Sequence, residues 1–404
     1  MRNIFLDIKK NWNLYFLISS LIIISSDTFR FGTSGEPIYE TIRYGFISIC
    51  FLYLISKNKI TSKQYLLLLG FLILFFISSF INGGGITGGP ILLFISLTVA
   101  FATTRLIRIS TFSKIFINII LLLSGYSIII WMLVWSGILP PTITRNAADS
   151  PVLTSFGCVF FDLYLGNGLR NSCVFREPGV YMIFLNIAFI MEAFILNENV
   201  DRKKIAIYAL AVFSTFSTAG FLIFGIIFLI YTLKSNSGVS KKRTIFPIIL
   251  ILGVCTVLSL TSLGDGVFGK LSAGEESKSF LGRVSSITIP LEILINNPLF
   301  GCGIERFENL YVDLAYSQYG IMINPQGMAT NTLLNSSATF GIWYGLFILI
   351  GLYKLCQKMR ISTIKKLIIL LCLVLCLCNE VLTYSIFIYW FIFYGYKKKE
   401  RAYE

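Results

Sequence analysis

The sequence predicts an all-α polytopic membrane protein with about twelve transmembrane helices, and three observations carry that prediction. Apolar residues make up 55% of the 404 and charged residues 13%, with a mean hydropathy of +0.78, far outside the range of a soluble domain. The apolar residues gather in runs of about 17 to 25, the length that crosses a hydrocarbon core. The 34 Lys and Arg outnumber the 20 Asp and Glu and sit in short clusters between those runs, as cytoplasmic anchors do. The net charge of +14 therefore reads as topology, with no nucleic-acid partner.

The first run, "WNLYFLISSLIIISS", follows a basic start and lacks a small-residue cleavage site, so it reads as a retained span near 12–26. Further spans fall near 38–56, 65–82, 90–104, 115–139, 180–198, 244–262 and 331–353. The runs 205–233 and 367–396 are too long for one upright helix. Basic clusters flank both runs: "DRKK" and "KSNSGVSKKR" the first, "KK" and "KKKER" the second. Positive residues on both sides put both ends in the cytoplasm, so each run crosses twice as a pair of short helices. The turns fall at "STAG" (217–220) and "CNE" (378–380). The sum is a single integral membrane domain over 1–404 with both termini cytoplasmic.

Two large segments, approximately 140–179 and 264–330, are left on the far side of the membrane, where they are expected to contain short helices. The first is rich in turn formers and carries Arg145, Arg170 and Arg176 but no lysine. Arginines kept where positive charge is depleted point to bidentate donors for phosphate or carboxylate. The second reads as helix, turn, helix: "SFLGRVSSITIPLEILINNP" has helical apolar spacing and stops at "NNP", and "FGCGIERFENLYVDLAYSQYG" resumes an amphipathic pattern.

The chain has no histidine, so its chemistry runs on carboxylates, arginines, amides and hydroxyls. There is no Asp-rich metal motif, and no metal or cofactor is expected. Six of the nine cysteines lie in or beside apolar runs; Cys158 and Cys173, both in the first outer segment, read either as a bridge or as free thiols. In "CVFREPGVYMIFLNIAFIM", Arg176 and Glu177 stand at the lip of a span that Pro178 opens. Arg176 reads either as a partner of Glu177 or of lipid headgroups or, with the free amides of that first turn, as an anion site, with Arg170 and Arg283 as further cations for a multiply charged group such as a diphosphate. Glu177 reads either as a salt-bridge partner of Arg176 or as a base for a sugar hydroxyl. Glu380, at a turn within membrane depth, calls for a partner such as Arg43. "FGCG" is a turn before a helix, with no strand before it to make a nucleotide fingerprint.

The string "LGRVSSITIPLEILINNPLFGCGIERF", followed by "MATNTLLNSSATFGIWYGL", resembles the O-antigen ligase and Wzy-type polysaccharide polymerase superfamily of GT-C-like membrane glycosyltransferases. Gly282-Arg283, the Asn297 to Gly303 turn and Asn331 match that pattern in order, and "FREPG" is similar to a motif of the polymerases. Thr330 stands where ligases carry a histidine, and "STAG" where many members carry Ser-Arg-x-Gly; both departures favour a polymerase over a ligase. The resemblance implies metal-independent transfer at the periplasmic side of a bacterial inner membrane, on glycans linked to undecaprenyl diphosphate, with a chain-length regulator as a further partner. It assigns Arg283 to diphosphate or glycan. Arg176, Glu177 and Arg283 are thus the expected catalytic residues, and Arg145, Arg170, Glu305, Arg306, Thr330 and Asn331 the expected substrate ligands. A ligase of the same superfamily and a lipid-linked oligosaccharide flippase are the rival readings. A flippase should carry its charges within the spans of duplicated halves, whereas this chain's polar residues gather in two outer segments.

Overall fold

The computed structural model describes residues 11–33, 36–57, 62–82, 88–146, 151–162, 169–196, 199–234, 278–322 and 330–397. The span expected near 244–262 lies outside them, as do both chain ends. The described chain is mostly helical: α1 (Trp12–Ile23), α2 (Phe29–Gly32), α3 (Pro37–Lys57), α4 (Ser62–Ile81), α5 (Gly88–Leu106), α6 (Ile109–Trp135), α7 (Pro178–Ile190), α8 (Arg202–Ser214), α9 (Thr218–Lys234), α10 (Lys278–Asn296), α11 (Ile304–Tyr319), α12 (Thr332–Phe340), α13 (Ile342–Gln357), α14 (Thr363–Cys378) and α15 (Ile386–Tyr396). A π-helical turn, Met191–Ile195, continues α7. By length and composition, α6 and the α7 segment through Ile195 are long and apolar enough to cross a membrane. Helices α1, α9, α13 and α15 and residues 90–106 of α5 are shorter apolar helices.

The two overlong runs each divide into a helix pair, as the flanking lysines require. The first break falls at Thr215–Ser217, slightly before the expected turn, so that "TAG" already belongs to α9; the second runs from Asn379 to Ser385. The run 331–353 also divides, which corrects the single span expected there: α12 and α13 are separated at Gly341, whose φ is 93°. Hydropathy is blind to such a break, because glycine inside an apolar run barely changes the mean.

The chain forms two compact units, 1–39 with 110–274 and 359–372, and 40–109 with 275–358 and 373–404. In the first, the segment expected on the far side of the membrane contains a four-stranded antiparallel meander where short helices were expected: β1 (Thr142–Arg145), β2 (Pro151–Ser155), β3 (Cys158–Asp162) and β4 (Leu169–Asn171), in spatial order β1-β2-β3-β4. The cause is a period of two. Cys158 and Phe160 pack with Ile130, Trp131 and Val134 of α6 and with Phe216, while Val159 and Phe161 turn the opposite way, onto Phe29 with Val152. Cys158 and Cys173 are buried free thiols that touch each other where β4 runs out.

In the second unit, Ile289 and Ile293 of α10, Phe307, Tyr311 and Ala315 of α11, and Ala338 of α12 form one core. The "NPLFGCG" turn docks on the end of α12 by backbone alone. Cys302 N donates to Ala338 O at 2.9 Å, Gly303 N to Thr339 O at 3.0 Å, and Ile342 N to Pro298 O at 2.9 Å. A Cβ on Gly301 would stand 2.3 Å from Thr339 O, and one on Gly341 2.2 Å from Leu299 O. The glycines are there because main chain must touch main chain, and the contact satisfies the carbonyls that the α12 break frees. Helices α13 and α15 also cross on glycines, a Cβ on Gly395 falling 1.9 Å from Gly351 O. Lys397 Nζ donates to Ile107 O, just past α5, at 3.1 Å, and Lys358 Nζ donates to the Tyr394 and Lys397 carbonyls at the end of α15.

Candidate functional site

In the first unit the candidate site is built on the start of α7. Thr28 and Phe175 pair as a β-bridge; Phe29 N donates to Val174 O at 3.1 Å, and Arg176 N to Asp27 O at 3.0 Å. That pairing fixes the chain just before the helix. Glu177 is the extended N-cap residue, exposed, and Pro178 opens the helix as expected. Arg176 is half-buried beside it.

The break before α9 lies against the same end of α7. A Cβ on Gly220 would be 3.1 Å from the Met182 Cβ, so the first turn of α9 stands beside the second turn of α7. Phe216 takes a left-handed φ of 46° to make the break, and Ser217 Oγ accepts from Gly220 N at 3.2 Å. Each first turn presents backbone N–H groups without intrahelical acceptors, so two positive helix ends meet here. Arg170, from β4, donates through Nε to Thr215 O at 3.1 Å. Asn171 beside it donates to Ser214 Oγ at 3.1 Å and to Ser127 Oγ at 3.2 Å. Strand β4 is thereby clamped to the break, and a guanidinium is carried to "STAG", which has no arginine of its own. Arg145 lies on β1, three strands from β4, roughly 14 Å away by ordinary strand spacing, so the sheet does not bring it beside Arg170.

In the second unit, Arg283 is exposed near the start of α10. Ser286, one turn on, accepts from Thr330 N at 3.2 Å, and its hydroxyl lies 3.3 Å from that of Thr330. The structure thus brings Arg283 and Thr330 to one end of α10, and Tyr311 of α11 joins them there through Ser285, at 3.3 Å. Asn331 is buried, and its Oδ1 accepts from Leu334 N at 3.0 Å: the side chain is the cap of α12. Thr332 N donates to Glu380 O at 3.1 Å, and Leu382 N to Thr332 Oγ1 at 2.8 Å. The Thr330–Thr332 stretch is therefore pinned between α10 and the α14–α15 break. Glu380 and Arg43 are both buried; the Arg43 guanidinium lies 5.2 Å over the Tyr44 ring and 4.0 Å from Glu40. Glu305 and Arg306 are exposed on the first turn of α11. Arg176 and Arg283 belong to different units.

Two polar features escaped the sequence reading. Glu308, one turn after Glu305, has its carboxyl pushed above the usual range by partial burial and by the Glu305 charge. The i,i+3 spacing of the two glutamates was the available signal. Glu192, buried in the π-helical turn, pairs with Lys204 and accepts from Tyr208 Oη at 3.1 Å. Its signal was a lone carboxylate near the end of an apolar run.

Residues 205–350 match a protein-family model described as O-antigen ligase. The match begins in α8, takes in α9 to α12 and ends within α13. It covers rather more than a third of the chain and supports a place in the ligase and polymerase superfamily of membrane-associated glycosyltransferase-like enzymes. No curated protein and no solved structure gives a significant match.

Proposed function

We propose that the protein is a surface-polysaccharide polymerase, joining repeat units carried on undecaprenyl diphosphate at the periplasmic face of the bacterial inner membrane. The observation that carries this reading is the pair of helix N-termini, α7 and α9, with Arg176 before one and Arg170 at the other. Two positive helix ends and guanidiniums suit a diphosphate, which as a leaving group needs charge stabilisation more than protonation. A metal is not required for that role. In the reaction, a hydroxyl of one lipid-linked unit attacks the anomeric carbon of the glycan on another. The new glycosidic bond forms as the bond to diphosphate breaks, and the hydroxyl proton passes to a carboxylate.

Glu177, at the lip of α7, is the first candidate for that carboxylate, and Glu308 is the second. Arg283 and Thr330, at one end of α10, are assigned to glycan or diphosphate. Glu305 and Arg306 on α11 are assigned to the sugar chain. Arg145 and the capping Asn331 are supporting residues in this reading. A chain-length regulator is the expected protein partner.

The family model's own description favours a second reading, a ligase that hands the glycan to a different acceptor. Purified protein given only lipid-linked repeat units tests the choice: lengthened polymer supports the polymerase, and its absence supports the ligase. In the same assay Arg176→Ala and Arg283→Ala are expected to cut product at least tenfold; near wild-type chain length in either variant removes that arginine from the site.

A further inference from the structure

We propose that the tip of the β2–β3 hairpin, Phe156–Gly157, is inserted among lipid acyl chains beside α6, so that the outer segment re-enters the membrane. Ser155 pairs with Cys158, leaving a two-residue turn in which Phe156 has φ 48° and Gly157 φ 78°. Such turns favour Asn-Gly or Gly-Gly; a phenylalanine in the left-handed region is strained, and here the residue is 69% exposed. A turn in water has no use for that residue.

The depth of the tip follows from its contact with α6. Tyr126 Oη donates to Phe156 O at 2.8 Å. Tyr126 lies nine residues before Trp135, the last residue of α6, which places the tip about 13 Å back along the helix. Trp135, 39% exposed at that helix end, stands where aromatic residues mark a membrane interface, and packs edge to face on Trp131, which is buried in the core with Cys158 and Phe160. Around the tip, Leu122, Tyr126, Ile129 and Met132 leave an exposed apolar stripe on α6. The β2–β3 stretch from Pro151 to Phe161 carries no charged residue. The Tyr126 hydroxyl satisfies the Phe156 carbonyl that water would otherwise bind, which removes one part of the cost of placing a turn in hydrocarbon.

The test uses the full chain in liposomes, with a fluorophore on Phe156→Cys and, for comparison, on Pro151→Cys at the opposite end of β2. Wild-type labelling is subtracted. Lipids bearing a nitroxide on the acyl chain are expected to quench the probe at 156 at least twofold more than headgroup nitroxide does, and aqueous iodide to quench it at least twofold less than the probe at 151. Equal iodide quenching at the two positions overturns the proposal. Should the cysteine variant fail to fold, Phe156→Trp with brominated acyl chains gives the same decision: added quenching supports insertion, and its absence refutes it.

Discussion

Arg170 spans the interval between what a sequence states and what a fold adds. Its Nε bond to the Thr215 carbonyl holds the break before α9, so Arg170→Ala is expected to lower stability by about 1–3 kcal/mol, read as a fall in the unfolding temperature in detergent. Arg170→Lys should recover only part of that loss, because a lysine lacks the planar fork. The placement of Arg176, Glu177 and Pro178 at the lip of a helix was legible because a helix start is decided within a few residues. The partner of Arg170 is 45 residues away and was not legible. Asn331, expected as a ligand, caps α12 through its Oδ1, a use the sequence does not announce because a polar residue looks the same whether it faces a substrate or its own helix. Glu308 yields a pH prediction. Partial burial and Glu305 disfavour its charged form, so a rate limb that needs the carboxylate lies above the ordinary glutamate range and rises with pH. Glu305→Gln removes the like charge and should move that limb to lower pH; Glu308→Gln should abolish it. A pH–rate profile unchanged in both variants removes Glu308 from the reaction.

At the scale of elements, the helix pairs flanked by lysine were readable from charge, whereas the Gly341 break and the β-meander were not. Span counting averages over about twenty residues and so misses both a single glycine and a four-residue alternation such as Cys158 to Phe161. The Gly341 break makes a sharp prediction. Gly341→Ala combines a left-handed φ with a Cβ 2.2 Å from Leu299 O, and should cost at least about 2 kcal/mol, seen as loss of the folded species in detergent chromatography. The Glu192–Lys204 pair makes another. Lys204→Met alone leaves a buried carboxylate uncompensated, at about 3–5 kcal/mol. The double variant Glu192→Gln with Lys204→Met should unfold at a higher temperature than the single one; equal unfolding temperatures would show that the pair is not coupled.

Over the whole molecule, the division into two units assigns the expected catalytic Arg176 and Arg283 to separate bodies. The sidedness drawn from lysine clusters remains the expectation on which the periplasmic assignment stands. Cysteines placed at Ile143 and Tyr316, both exposed, should react with an impermeant maleimide in spheroplasts before lysis. Reaction only after lysis would put both segments in the cytosol. The thirteen residues of α8 and eleven of α15 cover roughly 20 and 16 Å, against roughly 30 Å of hydrocarbon. In the expected topology, in which each crosses once, the bilayer beside α8 is predicted to thin or water to reach down to its ends, and either response shortens the distance that a bulky hydrophilic cargo has to travel through oil; α15, buried from Ile386 to Gly395, meets protein instead.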